Sequence, residues 1–168
     1  MTRLQAGERH RIRFTLNGTA AQGEAEPRML LTDFLRQQIG ATGTHVGCEH
    51  GVCGACTVIL DGDSVRSCLL FAVQADGCAL ETVEGLGTIE ELHGLQQAFR
   101  EHHALQCGFC TPGMLMTAID LLRKRPLATD DEIREGLSGN LCRCTGYQHI
   151  VDAIRTAVAR RGATHRDG

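Results

Sequence analysis

Eight of the nine cysteines in this chain stand in two groups of four, and the two groups differ in spacing. Cys48, Cys53, Cys56 and Cys68 follow C-x4-C-x2-C, with the fourth cysteine after eleven further residues. Cys107, Cys110, Cys142 and Cys144 form a C-x2-C pair, a long gap and a C-x-C pair. Cys78 stands apart. So many thiols must either be cross-linked or bind metal, and either choice dictates the loops that carry them.

The expected compartment decides between the two. The start of the chain, residues 1–10, is polar and lacks the apolar stretch of a signal peptide. The longest apolar run, residues 68–73, falls far short of the roughly 18–20 residues that span a bilayer. The cytoplasm is therefore the expected location and no membrane span is expected. Disulfides are rare there, so dense cysteines point to metal. Zinc is one option, since C-x2-C pairs occur in structural zinc sites, but Cys142-Arg143-Cys144 and the C-x4-C start fit zinc-ribbon spacing poorly. Four thiolates per site suit a [2Fe–2S] cluster, and C-x4-C-x2-C…C is the plant-type ferredoxin spacing. A net charge of −3 argues against nucleic acid as a partner.

With 168 residues the chain can form one domain or two small ones. Residues 10–16 alternate polar and apolar side chains like a half-buried strand, and Asn17-Gly18 is a favoured hairpin turn. A second strand is expected at 21–26, a helix at 30–39 closed by Gly40, and strands at 57–60, 64–67 and 79–82, with Asp61-Gly62 as a turn. That order suggests a small β-grasp domain. The second half reads as helical. Thr88-x-x-Glu91 and Thr129-x-x-Glu132 look like capping boxes, for helices reaching about His102 and Leu137. Thr111-Pro112 puts a capping hydroxyl before a proline at the first position of a helix to about Arg125. A fourth helix is expected at 150–160. The fold class is thus α+β. A plant-type ferredoxin domain would occupy 8–84 and a helical four-helix bundle domain 85–160, with a polar, frayed tail at 161–168.

The loops around the quartets suit an anionic group. Gly43, Gly47, Gly51 and Gly54 interleave with the first cysteines, where bends and close backbone approach are needed. Such loops can point N–H groups inward as an anion nest and donate to cluster sulfurs. In the second quartet each cysteine pair precedes a helix, so two positive helix ends would face the site in nearly equivalent halves. Cys78 reads as a small buried hydrophobe, and the histidines as solvated or capping residues. No nucleotide-binding glycine fingerprint and no nucleophile–base pair is present in the sequence.

Three stretches resemble one family. Residues 48–58 (CEHGVCGACTV), 106–113 (QCGFCTPG) and 139–147 (GNLCRCTGY) are similar to the iron–sulfur subunit of the molybdenum hydroxylases, the xanthine oxidase family. The likeness covers about residues 10–158 and points to the separate small subunit found in bacteria. It implies two [2Fe–2S] clusters, one on each quartet. It also implies a large molybdopterin-binding partner, often carrying molybdopterin cytosine dinucleotide, and a medium FAD-binding partner, in a dimer of heterotrimers. Gln106 and Cys144 occupy the positions that contact the pterin in that family. The second quartet would face molybdenum and the first FAD, and no catalytic residue lies on this chain. A zinc- or cluster-stabilised redox-sensing module and a freestanding ferredoxin are the alternatives.

Overall fold

The computed structural model describes residues 4–125 and 129–164, with side chains through residue 160. Five strands form one mixed sheet in the order β2-β1-β5-β3-β4. They are β1 (His10–Leu16), β2 (Thr19–Ala25), β3 (Thr57–Leu60), β4 (Asp63–Arg66) and β5 (Ala79–Glu81). β1 pairs parallel with β5, and the other neighbours are antiparallel. Both hairpin turns hold two residues in the left-handed region, as two-residue connections that match strand twist require. Asn17 and Gly18 have φ of 50° and 80°, and Asp61 and Gly62 have 49° and 91°.

Helix α1 opens at Leu31–Asp33 and continues as a π-helical stretch over Phe34–Ile39, where a uniform α-helix was expected. It closes on Gly40 at φ 84°, with the Ala41 N–H returning to the Leu35 carbonyl. Phe34 is fully buried and meets Phe14 edge-on at 5.8 Å. A Cβ on Gly23 would lie 2.7 Å from that ring, so β2 needs its glycine there. Ile12, Phe14, Leu31, Leu35, Val58 and Leu80 complete this first core.

Four helices follow: α2 (Gly94–Glu101), α3 (Thr111–Lys124), α4 (Asp130–Gly136) and α5 (Gln148–Thr164). Leu95, Phe99, Met114, Met116, Ile133, Ile150 and Ile154 make a second core. Strand β3 serves both cores. Successive strand side chains point to opposite faces, so Val58 enters the first core while Ile59 enters the second. Ion pairs fasten α3 to the sheet: Arg123 grips Glu81 with two bonds of 2.7 and 2.8 Å, and Lys124 reaches Asp63 at 2.6 Å.

Three expectations change. Thr88 does bond the Glu91 N–H, at 3.0 Å, but this closes a turn and no helix begins. Ile89 is 93% exposed and has no core to enter. Helix α2 starts later, where Leu95, Ala98 and Phe99 supply a buried stripe, and His93 and Gln96 form its capping box. At α3 the N-cap is Cys110 rather than Thr111, whose hydroxyl lies inside the first turn. Helix α5 begins before residue 150 and runs to Thr164, so the first part of the expected frayed tail is helical. Residues 165–168 lie outside the described residues, as do Met1–Arg3 and Pro126. No helix among the described residues is long and apolar enough to cross a membrane.

Candidate iron–sulfur sites

The first quartet lies on a loop between α1 and β3, with its fourth cysteine just past β4. Cys48 and Cys53 are half-buried, and Cys56 and Cys68 are buried. The thiols gather as couples: Cys48 with Cys53, and Cys56 with Cys68. The loop aims its amides at them. N–H groups of Cys53, His50 and Val52 point at Cys48, that of Ala55 at Cys53, and that of Gly51 at Cys68. The Cys53 N–H lies 3.4 Å from the Cys48 sulfur. These donors draw Cys48 down to about 6, in the direction that favours its thiolate. Burial acts the other way at Cys68, lifting it to about 12, with Cys56 adding to the rise. A bound cation would have to draw off that proton.

The inward turn of the loop has local causes. Gly51 and Gly54 take φ of 82° and 73°, and Glu49 sits in the same region at 57°. Gly43 and Gly47 keep ordinary φ. At Gly47 the requirement is space, because a Cβ there would stand 3.0 Å from the Cys53 sulfur.

The second quartet is less symmetric than its sequence suggests. Cys110 occupies the N-cap position of α3, but Thr145, Gly146 and Tyr147 separate Cys144 from α5. The couples also cross between the two sequence pairs. Cys107 and Cys144 are exposed and 3.4 Å apart, whereas Cys110 and Cys142 meet in a half-buried position. Burial lifts Cys110 to about 12, with Cys142 adding to it. Burial would raise Cys142 too, but the Thr145 hydroxyl at 3.1 Å and nearby amides outweigh it and lower that thiol. The Phe109 N–H lowers Cys107. Gln106 is exposed beside Cys107.

The donor set fits an anionic, thiolate-bound cluster at both places. Two soft thiols come together in each couple, and amides or hydroxyls point at several of them. The buried Thr111 hydroxyl, next to Cys110, has no partner among the described residues and would find an acceptor in such a group. Among the described residues no three His, Cys, Asp or Glu side chains crowd together as ligands of a single ion. Cys78 is apart from both sites, half-buried, with its thiol toward the Gln74 carbonyl.

Several residues within or between the sites escaped the sequence reading. His45 stacks on Phe109 at 4.9 Å, and its Nδ1 lies 2.8 Å from the Phe109 carbonyl. The Leu141 N–H donates to the Cys53 carbonyl at 2.8 Å. Tyr147, at φ 70°, accepts the Cys142 N–H on its hydroxyl at 2.8 Å. Asn140 is 2% exposed and bonds the Gly54 carbonyl at 3.1 Å. The positions of Phe109 inside the 106–113 motif and of Asn140, Leu141 and Tyr147 inside the 139–147 motif hinted at a role, and His45 carried no such signal.

Comparison with known proteins agrees with this chemistry. Residues 14–84 match the 2Fe-2S iron-sulfur cluster binding domain, and residues 82–155 match a second family described as a [2Fe-2S] binding domain. The chain is 56% identical over 150 residues to caffeine dehydrogenase subunit gamma of Pseudomonas sp. (strain CBB1), covering 88% of this chain and 90% of that one. It is 50% identical over 162 residues to the nicotine 6-hydroxylase small subunit of Paenarthrobacter nicotinovorans, covering 96% and 98%. Among solved structures it is similar to a chain of quinoline 2-oxidoreductase from Pseudomonas putida 86. There the TM-score is 0.89 and the identity 56%, over 93% of this chain and 97% of that one.

Proposed function

The chain belongs to the small iron–sulfur subunits of the molybdenum hydroxylase family, and on that premise we propose how its own residues serve electron transfer in an oxidoreductase complex. Cys48, Cys53, Cys56 and Cys68 hold one [2Fe–2S] cluster; Cys107, Cys110, Cys142 and Cys144 hold the other. When bound, these clusters supply one-electron carriers between a molybdopterin site on a large partner, as the cytosine dinucleotide, and FAD on a medium one. The observation that carries the reading is the gathering of each quartet into two thiol couples, Cys48/Cys53 with Cys56/Cys68 and Cys107/Cys144 with Cys110/Cys142. Each couple would supply two thiolates to one iron of a bound cluster.

The remaining residues set the environment. Amides from residues 50–53 and 55 hold negative charge at the first site, and Thr145 and Thr111 do so at the second. Gln106 and Cys144, both exposed, lie where a pterin on the large partner would touch this chain. The β-grasp half, 8–84, carries the first site and a four-helix bundle, 85–160, the second. The change of core along the chain supports that division.

A subunit suits the surface better than a freestanding carrier. Val52, Leu69 and Phe71 are exposed near the first site, and Leu105, Phe109 and Leu141 near the second. Apolar side chains around redox centres favour burial by partners over free diffusion. A dimer of heterotrimers in the cytoplasm accommodates this. The test is purification of the native chain with its companions under anaerobic conditions. About four irons per chain and two S = 1/2 signals on reduction are expected. Stoichiometric zinc without iron would overturn the reading in favour of a zinc-stabilised module, and isolation without companions would favour a freestanding ferredoxin.

A further inference from the structure

The two cysteine loops are joined by a buried polar cluster. Asn140 lies one residue before Leu141, which precedes Cys142, while Gly54 directly follows Cys53. The Asn140 amide donates to the Gly54 carbonyl at 3.1 Å. Its oxygen accepts from Thr117 of α3 at 2.9 Å and from Arg66 of β4 at 3.2 Å. These neighbours dictate the amide's orientation, because the Gly54 carbonyl can only accept and the guanidinium can only donate. Arg66 also bonds the Gly139 carbonyl at 2.7 Å and the Thr57 hydroxyl at 2.6 Å. Space here is fully used. A Cβ on Gly54 would stand 2.5 Å from the Gly139 carbonyl, and one on Gly113 would stand 2.2 Å from the Gly54 carbonyl.

Beside this cluster, the Leu141 N–H donates to the Cys53 carbonyl at 2.8 Å. Covalent bonds and that one hydrogen bond therefore run without a gap from the Cys142 sulfur to the Cys53 sulfur. We propose that Asn140 is a positioning residue for electron exchange between the two sites: by holding Gly54, Arg66 and Thr117 together it sets the Leu141–Cys53 bond, and with it the coupling of the two clusters. This rests on the functional reading above. It adds that the coupling depends on a side chain that touches neither cluster's sulfur ligands.

The replacement Asn140→Asp keeps the size, removes the donor and sets an oxygen against the Gly54 carbonyl. Asn140→Ser removes both arms of the amide. Each variant is prepared in the complete complex beside the wild type, with iron content, thermal midpoint and low-temperature EPR of the fully reduced protein measured together. Expected are full iron, both signals at their own g values, and a diminished mutual splitting with slower exchange between clusters. A purely structural role would lower the thermal midpoint and leave the splitting as in the wild type; that result overturns the proposal. If both variants lose iron, Thr117→Val provides the decision, since it removes one donor to the Asn140 oxygen. An altered splitting at full iron then supports the proposal and an unaltered one refutes it. A wild-type complex without clusters would instead sink the functional reading itself.

Discussion

Substituting Gly54 by alanine tests whether the two halves are locked together at the cysteine loops. Gly54 has φ of 73°, where a side chain costs roughly 1–2 kcal/mol. The added methyl would also lie 2.5 Å from the Gly139 carbonyl and 2.7 Å from the Asn140 amide nitrogen, contacts that cannot persist. Overpacking of this kind costs about 1–3 kcal/mol, and a displaced hydrogen bond about 1 kcal/mol more. Gly62 is the matching control, with φ of 91° and nothing within 4 Å of its missing Cβ. Gly62→Ala carries the backbone cost alone, so the difference between the variants isolates the packing at the junction, about 2–4 kcal/mol. For a domain of this size that corresponds to a midpoint about 4–16 °C lower for Gly54→Ala than for Gly62→Ala. Calorimetry or circular dichroism on the two variants, prepared alike, provides the comparison. Equal midpoints would mean that Gly139 and Asn140 do not press on Gly54, and the junction would lose its physical basis.

Other substitutions separate the sites. Cys53→Ser should abolish or destabilise only the ferredoxin-type EPR signal; loss of both signals would show that the site assignments fail or that the halves cannot fold independently. Gln106→Ala should leave both iron signals in place and alter the molybdenum spectrum or turnover of the complex, and an unchanged spectrum and rate would remove the pterin contact. Tyr147→Phe deletes the hydroxyl that accepts the Cys142 N–H, at a cost of about 1 kcal/mol. It should shift the second signal while leaving the first unchanged, and EPR of the purified complex reads the difference.

What could be read from the sequence is what local chemistry dictates. Cysteine spacing announces thiols that can gather, because bond reach limits how far apart residues on one loop can stand. Asn17-Gly18 and Asp61-Gly62 announce hairpins because few residues accept positive φ. Thr129 and Glu132 cap α4 as expected, with Thr129 accepting the Glu132 N–H and Glu132 accepting the Thr129 N–H. Thr88-x-x-Glu91 has the same letters and forms only a turn, since Ile89 finds no core and the buried stripe of α2 begins at Leu95. Tertiary packing decided there, and it also let His93 act as a cap. The contacts between the sites were invisible for a related reason. His45 with Phe109 and Asn140 with Gly54 join residues far apart in sequence, and no local spacing encodes such a meeting.

Those long-range contacts also give the second site an inside and an outside. Cys110 follows Phe109 and Cys142 follows Leu141, so the half-buried couple is flanked by the two residues that reach the first loop. Cys107 and Cys144 form the exposed couple, and Gln106 adjoins it. In the first site it is again one couple that bridges, since Cys53 offers its carbonyl to Leu141, while Cys56 and Cys68 lie deeper. Exposure, sequence neighbours and hydrogen bonds thus order the thiols in one direction, from the exposed Cys107/Cys144 through Cys110/Cys142 to Cys48/Cys53. Symmetric loops would have left that order undefined. The crossing of the C-x2-C and C-x-C pairs produces it, because each couple draws one cysteine from either side of the long gap.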